Sequence, residues 1–272
     1  MLGIAAIALP MGFLFSSVFA DQPTVVELFT SEGCPASPAA DALLSELAGR
    51  PDVLALSYHV KWWDGRGWND PFASVGATRR QSDYNDALGR ASVYTPQMII
   101  DGASEVFGGH ARAVGKAVAE RRVEASKRLG VGLRERDGGL DITVPKGKPA
   151  LVERNARVLM VRYDLNRGIT VKAGENRGRR LNHSHVVREI TDLGPWTGNA
   201  QTLRAPAARA GQGVAVLIQR FDAEGRPAEI LGAARLERRL LGASLNPWEA
   251  VARMARHIRA NRDGGAGGAT PL

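Results

Sequence analysis

The sequence of 272 residues predicts an α/β domain followed by a mostly β, sandwich-like domain. Three observations carry that expectation. Two apolar runs rich in β-branched residues, "TVVELFT" and "VLALSYHV", flank a helical pattern. Together they span about thirty-five residues, the length of a βαβ unit with its right-handed crossover. Beyond residue 128 the helical period gives way to short apolar stretches separated by turn residues, the pattern of a β-sandwich. Apolar content of 44% and charged content of 24% are those of an ordinary globular chain.

The elements follow in order. The first twenty residues, "MLGIAAIALPMGFLFSSVFA", carry no charge. Their apolar stretch and the Val18-Phe19-Ala20 end resemble a signal peptide cleaved before Asp21. Left uncleaved, the same stretch is long enough for a membrane anchor, which needs ~20 apolar residues. Residues 24–30 form the first expected strand. Ser37-Pro38 opens a helix, because proline lacks only an N–H that has no partner in a first turn. Leu43, Leu44 and Leu47 share that helix's apolar face, which stops near Gly49. Residues 53–60 form a second buried strand, and "KWWDGRGWNDPF" a loop.

A helix is expected over residues 73–88, then an extended segment, Pro96 and a strand that turns at Asp101-Gly102 into "EVFGG". Residues 111–128 read as a further helix. A hairpin over 129–145 turns at Asp137-Gly138-Gly139. Further strands are expected at "ARVLMVRYDL", "ITVKAGEN", "HVVREITDLG", "GVAVLIQRFD" and "EILGAARL". Residues 248–262 read as a short basic amphipathic helix or tail, followed by a Gly-rich end. The expected division is therefore a leader (1–20), an α/β domain (21–127), a β-rich domain (128–244), and a basic helix and tail (245–272).

Net charge is +8 and uneven. Asp21 to His110 holds 6 basic and 12 acidic residues, whereas Ala111 to Leu272 holds 30 and 16. Such a half attracts anionic partners. Export argues against nucleic acid and leaves two readings of the basic C-terminal half, an anionic membrane surface as its partner or dispersed, solvated arginine. No phosphate loop, nucleotide fingerprint or serine-hydrolase elbow is present in the sequence.

The one cysteine, Cys34, excludes an intrachain disulfide. It lies between the first strand and the first helix. Unpaired N–H groups at a helix start favour the thiolate, the reactive form of sulfur. Dithiol redox proteins carry a resolving Cys three positions on, and here that position is Ser37. A serine hydroxyl donates a hydrogen bond to a thiolate, or caps the helix, but it cannot resolve a mixed disulfide.

His59 ends the second strand, where catalytic groups of α/β sheets gather. It is a candidate neighbour of the thiol, or a structural histidine. Trp62, Trp63 and Trp68 either wall a groove for an apolar chain or pin their own loop. Asp64 and Asp70 read as turn residues. His183 and His185 would share one face of a strand, without a third ligand beside them. Gly174-Glu175-Asn176 with Arg177, Arg179 and Arg180 reads as a solvated connection packing the two halves, or as an anion site.

The stretches "VVELFTSEGCPASPAADALLSELA", "VLALSYHVKWWDGRGWNDPFAS", "LGRASVYTPQMIIDG" and "GENRGRRLNHSHVVREITDLGPW" resemble the secreted bacterial thioredoxin-like proteins called domain of unknown function 1223. The resemblance covers roughly residues 24 to 240, with the stretches in family order. It implies a thioredoxin-like first domain and export to the periplasm, and carries no assigned activity. In thioredoxin-like folds a cis-proline stands beside the active cysteine, and the residue before it pairs with substrate backbone. Thr95 and Pro96 match that place, before the strand "QMIID". Many members carry Cys at both ends of the four-residue motif, and this chain is CxxS.

Two functions are expected. In the first, Cys34 attacks a thiol- or disulfide-bearing protein, peptide or small thiol, Ser37 supports it, and Thr95, Pro96, His59, Trp62 and Trp63 bind substrate. An external thiol completes the cycle, and no metal or cofactor is needed. In the second, the chain is a non-catalytic thioredoxin-like binding module for a peptide or partner protein.

Overall fold

A computed structural model of the chain describes residues 22–124, 127–147 and 155–238. The expected leader, basic helix and tail lie outside these residues. The first strand, β1 (Thr24–Thr30), is wholly buried. It leads through a six-residue loop to α1 (Ser37–Ala48), which has a proline in its first turn. Then come β2 (Val53–His59), a 3-10 turn at Lys61–Trp63 and α2 (Val75–Ala87), which Ser74 caps by accepting the Ala77 N–H. Next are β3 (Gln97–Ile100), β4 (Ser104–Phe107) and α3 (Ala111–Val123). The remaining elements are strands: β5 (Gly132–Arg136), β6 (Gly139–Val144), β7 (Ala156–Thr170), β8 (Arg180–Trp196), β9 (Gln201–Pro206), β10 (Gln212–Phe221) and β11 (Pro227–Arg238).

The expected fold class, an α/β thioredoxin-like domain followed by a β domain, is corrected by the sheet order. Eight strands form one mixed sheet in the order β11-β10-β7-β8-β2-β1-β3-β4, and the protein is mostly β. β5, β6 and β9 form a second sheet of three strands. The physical reason lies at the edge of β2. An exposed strand edge presents unpaired N–H and C=O groups, and here β8 docks beside it in parallel, with Ser57 opposite Val186. The His185 ring, at φ 53°, bonds the Ala55 carbonyl at 2.9 Å. Arg235 on β11 bonds the carbonyls of Val53 and Arg50 at 2.8 and 3.0 Å. Chain distant in sequence thus takes over the edge that local patterning leaves open.

Strand alternation sorts the core into faces. Leu54, Leu56 and Tyr58 of β2 pack with Leu159, Val161 and Tyr163 of β7, Ala215 and Leu217 of β10, and Ala77 and Tyr84 of α2. The alternate residues of β7 and β10, such as Val158, Met160, Val214 and Val216, pack instead against Leu140, Ile142 and Val144 of the small sheet. Val53 and Ala55 of β2 meet α1 and α3. One core therefore contains residues from both halves of the chain.

Candidate functional site

The thiol loop is folded by its own backbone. Cys34 N–H bonds Ser31 O at 3.0 Å, and Ser37 N–H bonds Cys34 O at 3.2 Å. The Ser37 hydroxyl accepts the Ser31 N–H at 3.4 Å, and the helix cap is Ala36, with no side-chain bond. Ser37 thus fastens the loop rather than capping the helix.

Cys34 is 2% exposed, and its sulfhydryl donates to the Thr95 carbonyl at 3.5 Å. The Thr95-Pro96 bond is cis. Trp63 closes over this junction. Its indole N–H donates to Thr95 Oγ1 at 2.7 Å, and a Cβ on Gly33 would lie 2.8 Å from Trp63 Cβ. Glycine is required at position 33 by that approach. Beside the junction opens a cleft of about 360 Å³ lined by Trp62, Trp63, Arg66, Val93, Tyr94 and Thr95. Trp62 is half-exposed and tethered to Gln81 by its indole N–H at 2.9 Å, while Arg66 lies over the Trp63 ring at 5.2 Å.

Behind the thiol loop lies a buried acid–histidine cluster. Glu32, two residues before the cysteine, is its hub. Its carboxylate accepts from Trp68 Nε1 at 2.7 Å and meets His183 Nε2 at 3.1 Å, while its N–H donates to Asp70 Oδ2 at 2.9 Å. Asp70 Oδ2 also lies 2.7 Å from His59 Nδ1, so Asp70 is more than a turn residue. The His59 and His183 rings meet edge to face at 4.6 Å, and His183 Nδ1 lies 3.6 Å from Asp41 Oδ2. Both carboxylate oxygens of Asp41, His59 Nε2 and His183 Nδ1 are buried without a hydrogen-bond partner.

Burial lowers the proton affinity of His183, but the bond to Glu32 and the charges of Asp41, Glu32 and Asp70 outweigh it and raise its pKa. Burial raises the pKa of Asp41, against the pull of His183 and His59. Burial also works against ionised Asp70, yet its bonds to His59, Glu32 and Phe72 hold its pKa below the ordinary carboxylate range. Among the described residues no three such donors stand as a metal site.

The structure brings Cys34, Ser37, Thr95, Pro96 and Trp63 to one junction. Trp62 lines the adjoining cleft, and His59 turns to Asp70. His183 and His185 do not share a face, because the left-handed backbone at His185 breaks the alternation. His183 packs on His59, and His185 packs on Tyr163 at 4.8 Å. Sequence reasoning missed Glu32, Asp41 and Asn176 as neighbours of the thiol loop. The one available signal was acidic residues close to Cys34, which a surface helix carries equally often.

The model of the family described as Protein of unknown function (DUF1223) matches residues 25–219. No curated protein matches. An X-ray structure of an Agrobacterium tumefaciens protein is similar at 32% identity and a TM-score of 0.68, over 78% of this chain and 93% of that one. HBP35 of Porphyromonas gingivalis is similar at 14% identity and a TM-score of 0.59, over 82% of this chain and 78% of that one, a likeness of fold alone.

Proposed function

The chain belongs to the DUF1223 family, which carries no assigned activity, and from the site itself we propose a thiol-dependent protein that captures disulfide-bearing peptides or proteins through Cys34. The contact of Cys34 Sγ with the Thr95 carbonyl, at the lip of the tryptophan cleft, supports this reading best. A peptide lying in the cleft along residues 93–95 would lie beside the residue whose carbonyl Cys34 Sγ contacts, and would reach the sulfur once its cover moves. The Cys34 thiolate attacks one sulfur of the substrate disulfide. A bond forms between the two sulfurs, the substrate's S–S bond breaks, and the departing thiolate takes up a proton. Ser37 offers no second thiol, so an external thiol attacks the mixed disulfide and regenerates Cys34. Such exchange fits an oxidising compartment, in keeping with the exported, periplasmic location read from residues 1–20.

Trapping tests the reading. Cys34 in the native protein should form mixed disulfides with disulfide-bearing peptides, and Cys34→Ser should form none. Equal capture by both would defeat it. Ser37→Cys should add disulfide reductase turnover, since residue 37 faces the same loop. The second reading, a non-catalytic binding module, is favoured by the burial of Cys34. It predicts peptide binding in the cleft that Cys34→Ser leaves unchanged.

A further inference from the structure

A sulfur that is 2% exposed cannot react until part of its cover moves. Beneath it lie β1 and β3, whose residues beside the loop are fully buried. Trp63 closes on Gly33 and Thr95 beside it, and the turn of residues 171–179, at the tip of the β7–β8 hairpin, holds the carbonyls of the thiol loop. We infer that Asn176, in that tip, is a positioning residue for Cys34, holding the thiol loop in its covered form until the tip lifts.

Asn176 comes from far along the chain, yet its Nδ2 donates to Glu32 O at 2.8 Å and to Cys34 O at 2.9 Å. Both N–H groups of one amide are therefore spent on the thiol loop. Ser37 N–H also bonds Cys34 O, so the two donors together fix the peptide plane that follows the sulfur. Asn176 Oδ1 accepts from Arg179 at 3.0 Å, which holds the amide in orientation. The side chain is 1% exposed, whereas Lys172, Gly174, Glu175, Arg177, Gly178 and Arg179 around it are exposed.

The tip closes on itself through Gly178 N–H to Val171 O at 2.8 Å and Val171 N–H to Arg179 O at 3.0 Å. It also rests on the tryptophan loop, where a Cβ on Gly67 would come 3.2 Å from Gly174 Cα. A solvent-facing turn is thus bolted to the thiol loop by one buried amide. Segments with little buried surface open at low free-energy cost, and opening this one frees the carbonyls of Glu32 and Cys34.

In the proposed thiol chemistry, which this inference rests on for its use, the incoming chain meets Cys34 after the tip has lifted. The test is the rate of Cys34 alkylation by iodoacetamide in the native full chain. Asn176→Leu keeps the shape, removes both donors and adds no charge. It should raise the rate about tenfold or more, the effect of two buried hydrogen bonds. The factor should be the same across the neutral to mildly alkaline range, because access changes rather than thiol chemistry. Arg177→Ala, on the exposed side of the tip, should leave the rate within about twofold, as surface changes do.

The wild-type chain supplies a second measurement, should Asn176→Leu fail to fold. Its labelling rate should be nearly independent of urea at low urea, the mark of a local opening. Labelling that rises with urea as steeply as global unfolding would overturn the inference, as would an unchanged rate in folded Asn176→Leu. Fast labelling through the tip without any mixed disulfide would instead overturn the thiol function and leave Asn176 in its role.

Discussion

At the scale of single residues, His183 sets how the buried cluster answers to pH. Its ring faces Glu32 and Asp41, with Asp70 and His59 beyond, so three carboxylates favour its protonated form. A raised folded-state pKa means that its contribution to stability is complete below the unfolded value of ~6.5. That contribution is lost as pH rises through the folded value. Asp41 acts in the same direction at lower pH, since its raised pKa disfavours the ionised folded state above ~3.8. Asp70 acts oppositely, stabilising above ~3.8 and losing that effect as pH falls through its depressed value. Urea titrations from neutral to alkaline pH should therefore show falling stability, and His183→Gln should flatten that slope. A slope unchanged by the substitution would show that the charge resides elsewhere. Cys34 and Thr95-Pro96 announce themselves in sequence through local signals, a strand–helix junction and a proline before a strand. The His183–Glu32 contact spans 151 residues, and no local pattern reaches that far.

At the scale of elements, helices and short strands follow from periodicity, whereas partners across the sheet do not. The helix expected over 73–88 is found at 75–87, and the β1–α1–β2 unit stands where the apolar runs place it. The short strands expected beyond residue 155 are in fact the long pair β7 and β8, of 15 and 17 residues. Turn residues at 174–178 mark only the hairpin tip, and length along a strand carries no turn signal to read. What holds α2 to the sheet is equally hidden. Arg80 forms a two-pronged pair with Glu27 of β1 at 2.7 and 3.0 Å and bonds Gln219 of β10 at 2.9 Å. Tyr84 donates to the same carboxylate at 2.5 Å. Arg80→Met strands a buried Glu27 carboxylate without its cation, leaving it the Tyr84 hydroxyl as donor. The expected loss is ~3–5 kcal/mol, the effect of breaking a buried pair on one side, read from the urea midpoint at constant m-value. Replacing both partners, Glu27→Leu with Arg80→Met, should recover part of it, because no charge is then left unpaired. A single substitution costing under ~1 kcal/mol would mean that water reaches the carboxylate.

At the scale of the whole molecule, the question is whether the two halves fold as one. Their shared core answers it in energetic terms. Phe29, Leu54, Leu56 and Tyr58 from the first half pack in the same cluster as Leu159, Val161, Tyr163, Leu217 and Ile230 from the second. Because Ala77, Tyr84 and Ile99 of the first half stay packed on them, fully uncovering those four large side chains, at ~1.5–3 kcal/mol each, sets an upper bound of ~6–12 kcal/mol in all. That is the size of a whole domain's net stability, ~5–15 kcal/mol. Removing the second half also bares the β2 edge and takes Gln219 from the Glu27–Arg80 network. A fragment of residues 22–127 should therefore lack cooperative unfolding and near-ultraviolet dichroism, and the full chain should melt in one calorimetric transition. Its calorimetric and van't Hoff enthalpies should agree. Two separated transitions, or a fragment that unfolds cooperatively by itself, would show that the first half carries enough core of its own. The continuous sheet would then be a junction between two stable units. The difference reaches the thiol site directly, because Asn176 and His183 belong to the second half while Cys34 and Glu32 belong to the first. One cooperative unit keeps the His183–Glu32 contact assembled for as long as the protein is folded, and leaves the hairpin tip as the part that opens locally.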